Sequence, residues 1–404
     1  MFRLLPFIMT ICILFPIVTF ASTNNTKATF IRDGNLWTLI GDKETQITKK
    51  KKVFNPRWST DGKWILYQVV STNKFGEENE IWVYNLETKE RRRVARNGYS
   101  PTWAPNKNVI AFNDRSILDI SDLEKFYNIA MGVNDFTWLP DGSGFLLSSS
   151  GFLKPDGWTS ANIYTKKVNE NYEDIPIIGE VDYFFTLPKE IRNGNETILA
   201  INAGDFVYSP SGNWISFIVS PTASWAMDSN MLSVIDRNGK NFEVLDEITT
   251  FSVGMPKWAP STDTIAFIAG GGRLTFGFKN KDLKIHEMPT SVQYTPENYV
   301  DIDFDWVSDD LIVTSRMEEG KWSEQPLPIL YSINIEDNKQ VAITTPPNGY
   351  GDYNPQFVES LRKIIWLRGK SITDEESTLW KSNPDGTKAE AWIKNIDSIE
   401  FYGK

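Results

Sequence analysis

The chain of 404 residues contains one cysteine and one histidine. Cys12 lies in an apolar N-terminal run, so the rest of the chain can form no disulfide and must be stabilised by its core or by a closed topology. The lone His286 excludes a His-rich metal cluster and the H-E-x-x-H zinc motif, and we expect it to be an ordinary strand residue. A G-x-S-x-G nucleophile elbow is also missing. From these absences we expect that the chain is not an enzyme.

Basic residues are fewer than acidic ones, 42 against 52, which gives a formal net charge of −10. This charge argues against a nucleic acid or an anionic membrane surface as partner. Apart from Arg3, residues 1–21 are uncharged, and a small-residue cleavage site follows Ala21. We predict a signal peptide over 1–21, a linker over 22–27, and export to the cell envelope or exterior. A retained membrane anchor is the alternative for the N-terminal segment.

One motif organises the remainder of the chain. An aromatic residue is followed by a small residue, a turn, and apolar residues seven and nine positions further on. Each copy is predicted to be a hairpin, and two more strands follow most copies, which is typical of a propeller blade. In one copy the turn is one residue shorter. The aromatics of the seven copies are Trp58, Trp103, Trp138, Tyr208, Trp258, Trp306 and Phe357.

The two ends of the repeat region complete each other. Residues 29–47 have the pattern of the second, third and fourth strands of a blade, and residues 397–402 that of a first strand. We therefore predict a single all-β domain over 28–404, a propeller of four-stranded antiparallel blades. Eight blades are predicted, with seven as the alternative count, and strand 398–402 pairs with strand 29–32 to close the ring.

Two of these repeats read Trp58-Ser59-Thr60-Asp61-Gly62 and Tyr208-Ser209-Pro210-Ser211-Gly212. They resemble the repeats of the TolB-like β-propeller family, which read approximately W-S-P-D-G-x-x-I-A-F. The resemblance covers residues 28–404. It implies the propeller fold and carries almost no information about function.

The residue three positions before each motif aromatic is expected where the inner strand starts, at one mouth of the central channel. A ring of carboxylates and amides there favours a cationic or hydroxyl-rich ligand or a calcium ion, with the aspartates as main contacts. The competing interpretation is that each side chain hydrogen-bonds the backbone of its own turn. The polar members are Asn55, Ser100, Asp135, Asp205, Asp303 and Asn354, and the seventh member is Met255.

Asp301, Asp303 and Asp305 alternate along one predicted strand, which would place all three on one face. Three interpretations stay open: a calcium site, a glycosidase-like acid/base pair, and a solvated strand face with Asp-capped turns. Residues 169–204 form the longest insertion, with an aromatic cluster at 183–185. We predict a loop that packs back on the propeller; a rim that contacts a partner or glycan is the alternative.

These features predict a monomeric binding scaffold outside the cytoplasm whose partner is a protein, a peptide or a glycan. No cofactor is expected apart from the calcium considered above, and membrane contact is expected only if residues 1–21 are retained. The alternative function is a carbohydrate hydrolase or lyase that uses the carboxylates of the channel mouth.

Overall fold

The computed structural model describes residues 26–49, 51–74, 76–287, 290–324, 326–374 and 377–403. Cys12, the predicted signal peptide and residues 22–25 of the predicted linker lie outside these ranges. The described residues form eight four-stranded antiparallel sheets arranged as the blades of a propeller, so the predicted count of eight is confirmed and the count of seven is wrong. Within the described ranges, no helix has the length and apolar character needed to cross a bilayer.

In seven blades the strands follow chain order from an inner first strand to an outer fourth strand, whereas blade 1 takes its inner strand from the last strand of the chain. Blade 1 contains β1 (Lys27–Arg32), β2 (Asn35–Ile40) and β3 (Lys43–Gln46). Blade 2 contains β4 (Val53–Trp58), β5 (Trp64–Asn73), β6 (Gly76–Asn85) and β7 (Arg91–Ala95). Blade 3 contains β8 (Tyr99–Trp103), β9 (Ile110–Asp114), β10 (Ile117–Ser121) and β11 (Phe126–Met131). In blade 4, β12 (Asp135–Trp138) and β13 (Gly144–Ser148) are followed by the inserted hairpin β14 (Leu153–Lys154) and β15 (Gly157–Trp158), then by β16 (Asn162–Lys167) and β17 (Asp182–Thr186).

A second hairpin, β18 (Glu190–Asn193) and β19 (Glu196–Leu199), leads into blade 5. Blade 5 contains β20 (Asn202–Tyr208), β21 (Trp214–Ser220), β22 (Asn230–Asp236) and β23 (Glu243–Ile248). Blade 6 contains β24 (Lys257–Trp258), β25 (Thr264–Ala269), β26 (Asp282–Glu287) and β27 (Thr290–Gln293). Blade 7 contains β28 (Tyr299–Ser308), β29 (Leu311–Glu318), β30 (Ile329–Asn334) and β31 (Lys339–Ala342). Blade 8 contains β32 (Gly351–Val358), β33 (Lys363–Gly369), β34 (Ser377–Ser382) and β35 (Glu390–Ile396), and β36 (Ser398–Phe401) then completes blade 1. Short 3₁₀ segments occur at Tyr172–Asp174, Ala223–Met227, Leu274–Phe276 and Trp322–Glu324.

The ring closes as the terminal patterns predict. β36 pairs antiparallel with β1, with Phe401 opposite Ala28 and Ser398 opposite Ile31. Phe401 and Ile399 belong to the same buried cluster as Ala28 and Phe30. The first strand of blade 1 therefore comes from the opposite end of the sequence to its other three strands.

The apolar spacing of the motif follows from blade packing. The motif aromatic pairs across its hairpin with the first apolar residue, as Trp58 does with Ile65 and Phe357 with Ile364. Successive side chains of the second strand point to opposite faces of the blade, and each face packs against a different neighbouring blade. Ile65 therefore packs towards blade 1 and Leu66 towards blade 3. Each of the eight junctions between blades has a buried cluster of this kind. A second strand therefore contributes to two cores at once.

The motif tryptophans also hydrogen-bond the preceding blade. In four blades the indole Nε1–H donates to a backbone carbonyl of the preceding blade. The accepting residue is the one directly before the motif aromatic of that preceding blade, or before the equivalent Phe401 in blade 1. The bonds join Trp58 to Glu400 (3.3 Å), Trp103 to Arg57 (3.3 Å), Trp258 to Val207 (3.1 Å) and Trp306 to Lys257 (3.1 Å). Each of these bonds gives the indole N–H an acceptor and links one blade to the next. Trp138 is an exception, since its buried Nε1 has no hydrogen-bond partner among the described residues.

A second repeated bond lies near the opposite end of the inner strands. A polar side chain on the second strand donates to a backbone carbonyl on the inner strand of the following blade, or just before it. The bonds run from Gln68 to Gly98 (2.8 Å), from Asn113 to Val133 (3.0 Å), from Ser148 to Ala203 (2.6 Å) and from Ser315 to Asp352 (2.6 Å). The sequence interpretation missed this position, because polar residues of three different types occupy it.

The two ends of the propeller differ. At one end, short turns between first and second strands bond one another, as when Asn108 donates to Asp61 and Ser211 to Asp263. At the other end, called the loop face here, lie the β14–β15 hairpin, the β18–β19 hairpin and three of the four 3₁₀ segments. Variable loops of this kind, held by a rigid frame, are where binding residues concentrate.

The insertion over 169–204 is more ordered than predicted. Residues 182–186 are the fourth strand of blade 4, and the Phe185 ring packs against Phe242 in a tilted arrangement, with ring centroids 5.2 Å apart. Tyr183 is exposed. The cluster at 183–185 is therefore an outer strand whose phenylalanines pack on blade 5, and not a loop.

Removal of the closing strand tests the ring. Truncation after Asn395 deletes β36 and opens clusters on both sides of blade 1, so we expect the melting temperature to fall by more than about 10 °C. The control Val341→Ser changes an exposed residue of the outer strand β31 and should shift it by no more than about 2 °C. Thermal melts followed by circular dichroism give the comparison. An unchanged melt of the truncated chain would contradict the closure.

A buried carboxyl between blades 2 and 3 gives a pH-dependent prediction. Asp119 is 4% exposed, and its Oδ1 has no hydrogen-bond partner among the described residues. Burial, with a smaller contribution from Asp114, raises the pKa of Asp119 to about 7. The raised pKa stabilises the folded protein fully at pH values below the unfolded-state pKa of about 3.9. This contribution is lost as the pH rises through about 7, where the buried carboxyl ionises.

We therefore expect Asp119→Asn to increase the free energy of unfolding at pH 8 by about 2 kcal/mol, with the difference shrinking towards pH 4. Urea unfolding at the two pH values measures it. Asp156→Asn, at an exposed loop position, is the control and should show no pH-dependent difference. A destabilised Asp119→Asn variant at pH 8 would mean that the carboxylate has a favourable partner in the folded protein.

Candidate functional site

The residues predicted at the channel mouth lie on a distorted part of the inner strands. Asn55, Ser100, Asp205 and Asn354 all have positive φ, between 48° and 53°. The pairing register of each inner strand shifts at this point, which marks a β-bulge. Asp205, Asp303 and Asn354 lie inside their strands, so the predicted position at the strand start holds for Asp135 but is wrong for these three.

Four members of the predicted set line one cavity of about 380 Å³ in the middle of the propeller. This central cavity is bounded by Ser100, Asp135, Asp205 and Met255, with Arg57, Thr102 and Thr137 among the polar residues beyond them. Asp303 and Asn354 line a separate cavity of about 260 Å³. Asn55 donates from Nδ2 to Gln68 Oε1 at 3.1 Å. The structure thus brings part of the predicted ring together and divides the rest.

Asp135 and Asp205 form the acidic part of the central cavity. The backbone N–H of Asp205 donates to Asp135 Oδ2 at 2.6 Å, and Gly204 approaches the same carboxylate so closely that a Cβ there would be 2.6 Å from Oδ2. Burial raises the pKa of Asp135 to about 6 against the effect of this bond, and burial also raises the pKa of Asp205. Asp135 is half-buried, whereas Asp205 remains exposed on the cavity wall. Within the described ranges neither carboxylate forms a salt bridge, so no basic side chain of the protein compensates their charge.

The cations near the inner strands have acidic partners of their own. Arg57 pairs with Glu400 of blade 1. Lys257 Nζ lies 3.8 Å from Asp303 Oδ1 and 3.5 Å from Asp305 Oδ1. The competing interpretation of local backbone bonding applies to Asp303, whose Oδ1 accepts from the N–H of Phe304 at 2.8 Å. Asp135 and Asp205 are therefore the carboxylates available to a ligand in the central cavity.

The predicted metal site at Asp301, Asp303 and Asp305 is wrong. A bulge between Asp301 and Asp303 interrupts the alternation, and no group of three or more His, Cys, Asp or Glu side chains in the described ranges is arranged to hold a metal ion. Asp301 is fully buried and accepts from Arg316 Nε and Nη2 at 2.9 and 2.8 Å. Asp305 Oδ2 accepts from the N–H of Phe357 at 2.9 Å. Basic groups and backbone N–H groups thus satisfy these carboxylates.

Blade 8 repeats the buried pair at the equivalent positions. Asp352 accepts from Arg368 Nε at 2.6 Å and Nη2 at 2.8 Å, and from the indole of Trp366 at 2.9 Å. A bidentate pair at the same place in two adjacent blades indicates a structural role. His286 is likewise structural in position: it lies buried in β26, with Nδ1 2.7 Å from Ser291 Oγ.

Large apolar side chains are exposed in the connections of the loop face. They come from the β14–β15 hairpin, from two 3₁₀ segments and from connections between blades. The exposed residues are Phe152, Leu153, Trp225, Met227, Phe251, Phe276 and Tyr350. Apolar exposure of this kind around a central cavity is more typical of a binding surface than scattered single residues would be.

No family model matches the sequence, and no curated protein matches it. Solved structures with the same fold include a eukaryotic initiation factor, with 10% identity, a TM-score of 0.59, and coverage of 94% of this chain and 88% of that one. Dipeptidyl peptidase 4 of Porphyromonas gingivalis has 9% identity and a TM-score of 0.56 over 93% of this chain and 60% of its own. A puromycin-hydrolyzing peptidase of Mycobacterium tuberculosis has 11% identity and a TM-score of 0.50 over 86% of this chain, which spans 54% of the peptidase. At these identities the likeness shows the fold alone.

These likenesses correct one prediction. The expectation that the chain is not an enzyme was based on the missing nucleophile elbow and the single histidine. Because propellers of this fold form part of two peptidases, that expectation is overturned. The fold leaves an enzymatic role open.

Substitution of Asp301 separates ion pairing from metal binding. Asp301→Asn leaves the Arg316 guanidinium buried without its counter-charge, so we expect a loss of about 3 kcal/mol in the free energy of unfolding. Because Arg316 already pairs with Asp301, we expect the calcium content of the purified protein not to change. Chemical unfolding and elemental analysis of the parent and variant give the two readouts. Loss of bound calcium with the carboxylate would restore the metal interpretation.

Proposed function

We propose that this protein is an exported TolB-like propeller that binds, on its loop face, a ligand with a cationic group in the central cavity. The observation that carries the proposal is the pair Asp135 and Asp205, two carboxylates that line one cavity and form no salt bridge among the described residues. A cation placed between them would supply the missing counter-charge. The apolar run after Arg3 supports export, and the Trp58 and Tyr208 repeats support the TolB-like assignment.

The chemistry of the pair favours an organic cation. An ammonium or guanidinium group can donate several hydrogen bonds to two carboxylates at once. Ser100, Thr102 and Thr137 line the same cavity and offer hydroxyl groups to a polar ligand backbone. The same hydroxyls would also suit a hydroxyl-rich ligand that carries an amine.

The exposed apolar residues of the loop face favour a ligand that belongs to a larger molecule. Phe152, Trp225 and Phe276 come from three successive blades. A protein, peptide or glycan outside the cytoplasm could cover them while its cationic group enters the central cavity. We propose this class of partner for a monomeric propeller.

A second candidate function is favoured by the raised pKa of Asp135. A carboxyl with a pKa of about 6 beside a second carboxyl is suited to general acid catalysis on a glycan. Turnover of an oligosaccharide panel by the parent, lost in Asp135→Asn, would support a hydrolase or lyase. No turnover by the parent on substrates that it binds would count against this function.

The binding proposal is tested with a small cation. Saturation-transfer NMR should detect N-acetyl-lysine methylamide on the parent, and should not detect the uncharged N-acetyl-norleucine methylamide. The double variant Asp135→Asn/Asp205→Asn keeps the shape and removes two charges, so binding of the lysine compound should be lost. Glu170→Gln, at an exposed position between β16 and β17 on the end opposite the loop face, is the control and should bind as the parent does.

The pH dependence supplies a second readout. Since Asp135 ionises near pH 6, the lysine compound should bind about tenfold more weakly at pH 5 than at pH 7.5. Equal binding of the charged and uncharged compounds, or retention by the double variant, would refute the proposed function.

A further inference from the structure

We infer that the site extends beyond the central cavity, and that a linear oligocation binds across the central cavity and a second cleft beside it. The inference rests on the proposed function for its central end. Its outer end rests on separate residues of blades 2 and 3. The ligand class is a chain with at least two cationic groups, either an aliphatic oligoamine or a peptide with two basic side chains.

The outer cleft has a volume of about 370 Å³ and lies on the loop face. It is built by the start of β6, the connection into β8, the turn between β9 and β10, and the connection into β12. Ser100 and Asp135 line both this cleft and the central cavity. The two spaces are therefore adjacent, and a ligand that spans both would pass Asp135.

Carboxylates dominate the free charge of the cleft. Glu77 and Glu78 line its outer end, and neither forms a salt bridge among the described residues. Arg115, a cation in the lining, lies 3.9 Å from Asp114 and is thus matched by a carboxylate of its own. The remaining charge of the cleft is negative at both ends, at Glu77 and Glu78 and at Asp135.

The neutral polar groups reinforce this assignment. Asn97 already uses its side chain within the protein, since Oδ1 accepts from the N–H of Asn79 at 3.1 Å and Nδ2 donates to Asp114 at 2.8 Å. Asn113 likewise donates to the carbonyl of Val133. The amides thus shape the cleft, and the carboxylates are left to recognise a ligand.

Tyr99 adds an aromatic surface to the same cleft. It is 52% exposed although it lies at the start of an inner strand, and it precedes Ser100, which lines both spaces. The face of a phenol ring attracts ammonium and guanidinium groups. A ring between two acidic ends favours a basic chain over a neutral glycan.

The experiment compares one cation with two on the same protein. N-acetyl-lysine methylamide probes the central cavity alone, while spermine and the peptide acetyl-Lys-Gly-Gly-Lys-amide probe both ends. We expect at least one of the two longer compounds to bind the parent more than tenfold more tightly than the lysine compound. Isothermal titration at low salt gives the affinities.

Two double variants locate the ends. Glu77→Gln/Glu78→Gln should weaken the longer compound about tenfold or more and leave the affinity for the lysine compound unchanged. Asp135→Asn/Asp205→Asn should weaken the binding of both the longer compound and the lysine compound. Glu170→Gln/Glu359→Gln removes two exposed carboxylates at the end opposite the loop face and should change neither affinity, which controls for the loss of net charge. Thermal melts check that each variant is folded.

The outcomes separate the two proposals. If the lysine compound does not bind the parent, the proposed function fails. If it binds, but neither longer compound binds more tightly or Glu77→Gln/Glu78→Gln leaves their affinity unchanged, the extended site fails and the central one stands. Tighter binding of spermine alone identifies an oligoamine site, and tighter binding of the peptide alone a site for basic peptides; both results support the inference.

Discussion

The packing of each blade against its neighbours is the contact on which the rest of the structure depends. A four-stranded sheet with apolar residues on both faces of its second strand cannot bury them alone. Here Ile65 and Leu66, adjacent in sequence, enter two different junctions. At four junctions the tryptophan of the motif adds a directional bond between the neighbouring blades. Eight such junctions give each blade a buried contact with both of its neighbours.

This frame explains where the binding residues lie. At the end opposite the loop face, the short turns between first and second strands are joined by hydrogen bonds between neighbouring blades, such as that from Asn108 to Asp61. The loop face contains the β14–β15 and β18–β19 hairpins and the outer cleft. The bulges at Ser100 and Asp205 interrupt the regular pairing of their inner strands beside the central cavity, which is the kind of place where backbone irregularity marks function. The acidic pair is thus held by rigid strands, whereas the apolar contacts around it come from loops.

The repeat, the blade count and the closure could be predicted from the sequence because they depend on local spacing. Ile65 lies opposite Trp58 in the structure as the seven-residue interval requires. Whether Asp301, Asp303 and Asp305 form a metal site could not be predicted from local spacing. Alternation predicted a shared face for Asp301 and Asp303, but a bulge separates them, and Arg316, fifteen residues away, neutralises Asp301. The division of the mouth residues between two cavities is also a tertiary property, since it depends on how unequal blades pack around the axis.

The pairing of β36 with β1 has a consequence for how the chain reaches its native state. The two strands are separated by nearly the whole sequence, and such non-local contacts form slowly because the intervening chain must first be ordered. Seven blades are complete before β36 is reached in the order of synthesis, while the inner edge of β1 still lacks its partner. Until closure, that edge and the apolar faces beside it resemble the exposed strands through which nascent chains aggregate. The late arrival of β36 therefore makes ring closure the step at which folding of this protein is most vulnerable.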